Sequence, residues 1–111
     1  MLSLVSLSAL ASCAGGCCDE SFRMGLRVTV VSMTGVPICD ATVRATIDEY
    51  SEVLRPSGGQ DCAYSGLGER AGHFVATATA AGYRPNSVSG DIDEDSCHVI
   101  TQTVEIQLAP N

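Results

Sequence analysis

Residues 104–108 alternate without a break, with Val104, Ile106 and Leu108 on one side and Glu105 and Gln107 on the other. Successive side chains of an extended strand point to opposite faces, so this pattern buries one face and leaves the other in water. The period recurs along the chain. Leu26, Val28 and Val30 alternate with Arg27 and Thr29, and Val43, Ala45 and Ile47 alternate with Thr42, Arg44, Thr46 and Asp48. A Val/Thr/Ala segment from His73 to Ala80, a short one from Val88 to Ile92 and the closing segment Val99 to Leu108 read the same way, with a further short strand around Val53-Leu54. Turn formers separate them: Thr34-Gly35-Val36-Pro37, Pro56-Ser57-Gly58-Gly59, the stretch from Gly66 to Gly72, Gly82 and Pro110. Helical periodicity is weak after residue 22, and no strand-then-long-helix rhythm of a parallel sheet is present. The expectation is an all-β chain, an antiparallel sandwich of six or seven short strands, each sheet apolar on one face. Leu26–Val31 and Val104–Leu108 are expected to lie in facing sheets.

The strand-bearing stretch, residues 24–109 of 111, is the size of one small domain. The whole chain has only five aromatic side chains and no Trp, so large core fillers are scarce. Formal net charge is −7, and the six cationic side chains are all Arg, scattered along the chain. A nucleic-acid partner is excluded, because such binders cluster their basic residues. The negative charge also argues against electrostatic attraction to anionic lipid. With no Lys, Lys–Asn isopeptide chemistry is impossible.

Ahead of the strands, Met1 to Leu10 is apolar or Ser and runs into Leu10-Ala11-Ser12-Cys13. A stretch of about ten residues is too short to span a bilayer as a helix, and it fits a signal-peptide core. Leu, two small residues and then Cys is what a bacterial lipoprotein signal peptidase reads. The expectation is a signal peptide at 1–12, lipidation at Cys13 and a lipid-anchored tether at 13–23. Two or more acyl chains hold a protein on a membrane stably, at about 0.8 kcal/mol per buried methylene. The second residue after Cys13 is Gly15, not Asp, which leaves outer-membrane transport open. Two other readings stand beside this one. Ala9-Leu10-Ala11 is also a small-x-small site for ordinary secretory cleavage, giving a soluble protein that begins near Ser12, and the apolar run could be a short buried helix.

Six Cys in a small exported chain point to disulfides. Lipidation of Cys13 would leave five thiols, whereas plain secretion leaves an even number. Cys62 and Cys97 are the expected pair, because each stands at the mouth of a β segment and together they close a long loop. Cys39 has three alternatives: Cys17, Cys18 or a buried thiol.

Site chemistry has little support. Asp91-Ile92-Asp93-Glu94-Asp95 supplies oxygen ligands of the kind calcium takes. Yet Ser96 stands where an EF-hand loop requires Gly, and Gln102 where it requires Glu; a solvated loop before Cys97 is expected. Cys97-His98, His73 and Cys17-Cys18 lack metal-site spacing, so no metal and no cofactor are expected. There is no Gly-x-Ser-x-Gly elbow. Glu69-Arg70 reads as a turn ion pair.

The turn and packing residues resemble a known family. Leu26 to Val43, with Gly35-Val36-Pro37-Ile38 and then Asp40-Ala41-Thr42-Val43, is similar to the opening of carboxypeptidase regulatory-like domains. Glu69 to Val75, then Ala80-Ala81-Gly82-Tyr83, resembles that family's Gly-x-aromatic strand followed by a Gly-Tyr turn. Val104 to Leu108 fits its closing strand. The resemblance covers residues 24–109 and implies a seven-stranded antiparallel transthyretin-like (prealbumin-like) Greek-key β-sandwich. Positive φ is expected at Gly72 and Gly82. It also implies a non-catalytic module: the hydroxyisourate hydrolase relative closes on Tyr-Arg-Gly-Ser, where this chain has Leu108-Ala109-Pro110-Asn111. The expectation is a non-enzymatic, membrane-anchored lipoprotein of the bacterial cell envelope. It would be held at the outer membrane, facing periplasm or cell surface, and act as a structural or interaction module with an envelope protein partner. The alternative is a soluble secreted sandwich that binds a small ligand or calcium through its loops.

Overall fold

The computed structural model describes residues 21–111, and eight strands carry them. In chain order these are β1 (Leu26–Ser32), β2 (Thr42–Ile47), β3 (Tyr50–Val53), β4 (Arg55–Pro56), β5 (Tyr64–Gly66), β6 (Gly72–Thr79), β7 (Asn86–Ile92) and β8 (Gln102–Leu108). One sheet has the order β4-β5-β1-β8 and the other β3-β2-β6-β7. The architecture is an all-β sandwich, with eight strands among the described residues instead of seven. The expected alternation sorts the side chains between core and solvent. Leu26, Val28 and Val30 of β1, Val43, Ala45 and Ile47 of β2, Phe74, Ala76 and Ala78 of β6, and Ile106 and Leu108 of β8 all share one buried cluster. The leader 1–12 and the lipidation residue Cys13 lie outside the described residues.

One pairing overturns an expectation. β1 and β8 are not in facing sheets; they are neighbours in one sheet, paired in parallel from Leu26↔Gln102 to Ser32↔Leu108. The other strand pairs are antiparallel. Alternation fixes which side of a strand is buried but carries no information about which sheet the strand joins.

The short strand expected around Val53-Leu54 is two strands in different sheets. β3 pairs with β2 through Arg44↔Val53 to Ile47↔Tyr50, whereas β4 pairs with β5 through Arg55↔Ser65 and Pro56↔Tyr64. Leu54 is the crossing point. Its side chain is buried, and its N–H donates to the Val43 carbonyl at 2.8 Å. β5 falls in a stretch where no strand was expected, since three residues give no readable period. Its single fully buried aromatic, Tyr64, donates its hydroxyl to the Ile38 carbonyl (2.8 Å) and accepts the Ala41 N–H (3.0 Å). At Gly82, φ is +88°. The Tyr83 N–H closes onto the Ala80 carbonyl at 3.1 Å, which makes 80–83 a turn that needs positive φ at its third residue.

The expected Cys62–Cys97 pair is also corrected. Cys62 is bonded to Cys39, with Cα atoms 5.0 Å apart. β5 runs antiparallel to β1 with Val28 opposite Tyr64. The chain just before β5 therefore meets the segment that leaves the Val30 end of β1. Cys97 sits beyond the other end of β1, in a hairpin closed by Asp95 N–H to His98 carbonyl (2.9 Å) and the bridge Glu94↔Val99. Cys97 is itself in a disulfide.

Candidate functional site

The switch at Leu54 leaves a gap. Since β3 ends one sheet and β4 begins the edge of the other, the two layers part along this side of the sandwich. A cleft of about 400 Å³ opens there, walled by Tyr50 and Glu52 from β3, Arg55 and Pro56 from β4, Gly66 from β5, and Phe22, Met24 and Arg70 from the flanking segments. Tyr50 and Glu52 point into it for a reason of register. They lie opposite Ile47 and Ala45, both of which face the core. At the open edge of the sandwich that inward face meets solvent, and a carboxylate can occupy it. An inward-pointing charge is also how natural edge strands resist pairing with another chain.

The polar groups of the cleft hold one another. The Tyr50 hydroxyl donates to Glu52 Oε1 at 2.6 Å, and the Arg70 guanidinium lies 3.4 Å over the Tyr50 ring. The bond to Glu52 raises the Tyr50 pKa, with desolvation as a lesser cause. Two glycines form the floor. A Cβ at Gly66 would collide with Leu54 and the Glu52 carboxylate, and one at Gly68 with the Phe22 ring. Phe22 therefore packs a ring onto Gly68 while remaining 68% exposed, and Met24 beside it is 42% exposed.

The wall that carries Phe22 and Met24 is pinned. The Gly25 N–H donates to the Leu67 carbonyl (3.0 Å), the Glu69 N–H to the Arg23 carbonyl (2.9 Å) and the Gln102 N–H to the Gly25 carbonyl (2.8 Å). Thr101 Oγ1 donates to the Met24 carbonyl at 2.6 Å. Glu69 closes the arrangement. Its Oε2 accepts the Arg23 N–H at 2.8 Å and lies 2.9 Å from His98 Nδ1, and its Oε1 accepts the Val99 N–H at 3.4 Å. The Arg23 N–H first, then His98 and the Val99 N–H, hold the Glu69 carboxyl below its ordinary pKa. Asp95 is lowered by the N–H groups of His98 and Cys97, each donating at 2.8 Å. Arg23, the last residue of the expected tether, is thus bonded into the fold.

The sequence expected Glu69 to pair with Arg70. In the structure Glu69 turns to His98 and Arg70 to the Tyr50 ring. The two His residues do not converge on Cys97: His73 Nδ1 meets Asp91 Oδ1 at 3.0 Å, and His98 meets Glu69. Among the described residues no group of three or more His, Cys, Asp or Glu is arranged to hold a metal. The acidic run is divided among separate tasks, with Asp91 on His73 and Asp95 capping the 97–98 backbone. Tyr50, Glu52, Arg55, Phe22 and Met24 were not singled out from the sequence. The legible signal was Glu52, two residues after Tyr50 in a segment whose apolar partner side it shares.

The fold and this cleft define a disulfide-bonded β-sandwich with an open edge. The chain matches no protein-family model and no curated protein.

Proposed function

We propose that this chain is a non-enzymatic lipoprotein of the bacterial cell envelope, anchored by lipid on Cys13, whose transthyretin-like sandwich of the carboxypeptidase regulatory-like kind serves as a structural or interaction module at the outer membrane. The observation that carries the reading is Leu10-Ala11-Ser12-Cys13 directly upstream of a disulfide-bonded sandwich. The Cys39–Cys62 bond supports an oxidising compartment. Residues 14–21, ahead of the packed Phe22, reach at most about 29 Å when extended, so the sandwich works close to the membrane. The paired roles of Glu69, His98, His73 and Asp91 favour structural use of the groups that hydrolytic chemistry would need.

Metabolic labelling with palmitate tests this. Wild-type chain is expected to carry label and Cys13→Ser to lose it. Equal label in both proteins, or none in either, overturns the anchor. A mature N-terminus at Ser12 would mark plain secretion instead.

A further inference from the structure

We infer that the cleft between β3 and β4 is a binding site for an amphiphilic carboxylate, with the apolar body lying against Phe22, Met24 and Pro56 and the head group taken by Arg55 and Arg70. The inference does not depend on the anchor, since every residue it uses belongs to the folded sandwich.

Phe22 and Met24 are exposed apolar side chains side by side on one wall. Exposed apolar contacts that border polar groups mark places where something binds. Their exposure is not fraying. Backbone hydrogen bonds from Glu69, Gly25 and Gln102 pin residues 23–25, and Phe22 is laid against Gly68, where no Cβ fits. At about 400 Å³ the cleft falls within the roughly 300–1,000 Å³ of small-molecule sites.

The head-group chemistry follows from the charges. Arg55, Arg70 and Glu52 are the ionic side chains of the wall. Glu52 is engaged by the Tyr50 hydroxyl, and its other oxygen lies over Gly66, where a Cβ would strike it. Neither Arg55 nor Arg70 has a carboxylate partner among the described residues. Arg70 is held 3.4 Å over the Tyr50 ring, a stacking contact that keeps the guanidinium at the cleft with N–H groups to donate. A fixed guanidinium edge matches a carboxylate in a planar, bidentate way. In a chain of net charge −7, a cleft with a local surplus of one cation is an exception that selects for an anion.

Titration of the disulfide-intact protein with octanoate, octanamide and octylamine, followed by backbone amide NMR shifts and by calorimetry, tests the assignment. Octanoate is expected to saturate with shifts at 22–24, 50–57 and 65–70, and to bind at least tenfold more tightly than the amide or the amine. Arg55→Gln is expected to weaken octanoate about tenfold while leaving octanamide unchanged. Met24→Glu, a change at an exposed position, is expected to weaken both. Melting of each variant without ligand verifies that the fold is kept. Tightest binding of the amine would make Glu52 the reader and overturn the proposal. Equal affinity for the three compounds, shifts at other residues, or no saturation below the solubility limit would overturn it as well.

Discussion

Tyr64 shows how one hydroxyl ties separate parts of the sandwich together. Its ring is buried under β5, and its oxygen serves both the Ile38 carbonyl and the Ala41 N–H, on the segment that leads into β2. Removing only that oxygen leaves a donor and an acceptor unpaired in a place that water reaches poorly. Such orphaned groups cost about 1–3 kcal/mol. Tyr64→Phe should therefore reduce the unfolding free energy by that amount, read as a lower urea midpoint at unchanged m-value; an unchanged midpoint would mean that solvent replaces the hydroxyl. The local part of this arrangement was readable. Gly82 takes the positive φ expected of it, as does Gly72 at +135°, because a turn's conformational demand is written in its own few residues. The partners of Tyr64 and of Cys62 were not readable. They come from residues 38–41 of the β1–β2 connection, a tertiary adjacency that no local pattern encodes. Glu52 lies between these cases: its parity was visible in the sequence, but a charge at inward parity makes sense only once β3 is known to be an edge.

At the level of elements, the long strands were legible and their connections were not. β1, β2, β6 and β8 announce themselves because six to eight residues give several turns of the period. β4 and β5, of two and three residues, give none. Their existence depends on the crossing at Leu54 and on the space beside β1. The disulfide takes on particular weight here. It joins the β1–β2 connection to the approach to β5, across a sequence separation of 23. It thereby fastens the two shortest strands to a sheet they hold with few hydrogen bonds. Closing a loop of that size restrains the unfolded chain by roughly 3 kcal/mol. Replacement of both residues, Cys39→Ser with Cys62→Ser, should reduce unfolding free energy by about that much. Amide exchange should accelerate first at residues 55–66, the segment that the bond fastens to the β1–β2 connection. Uniform acceleration across β1 and β8 would instead show that β4 and β5 unfold only with the whole sheet.

Across the whole molecule, charge placement predicts how stability responds to pH. Among the described residues, three carboxylates titrate below their ordinary values: Asp61 through its bond to Arg27, Glu69 chiefly through the Arg23 N–H, and Asp95 chiefly through the His98 N–H. A carboxyl whose folded pKa is depressed binds fewer protons when folded than when unfolded. Its contribution is complete above the unfolded value, about 4, and disappears as pH falls through the lower folded value. Tyr50 has the opposite sign. Its pKa is raised by Glu52, so its contribution is complete below about 10 and disappears as pH rises through the folded value. The urea midpoint should thus be level with respect to these groups between about pH 5 and pH 9 and fall on either side. Glu69 and Asp95 border the same hairpin at residues 94–99, so the acid arm should begin there, releasing the 23–25 wall of the cleft before the core opens. Glu69→Gln should flatten the acid arm and leave the alkaline one intact, and Tyr50→Phe should do the reverse. An acid arm of unchanged slope in Glu69→Gln would show that Asp61 and Asp95 carry it alone, and that the knot around His98 does not hold this end of the sandwich closed.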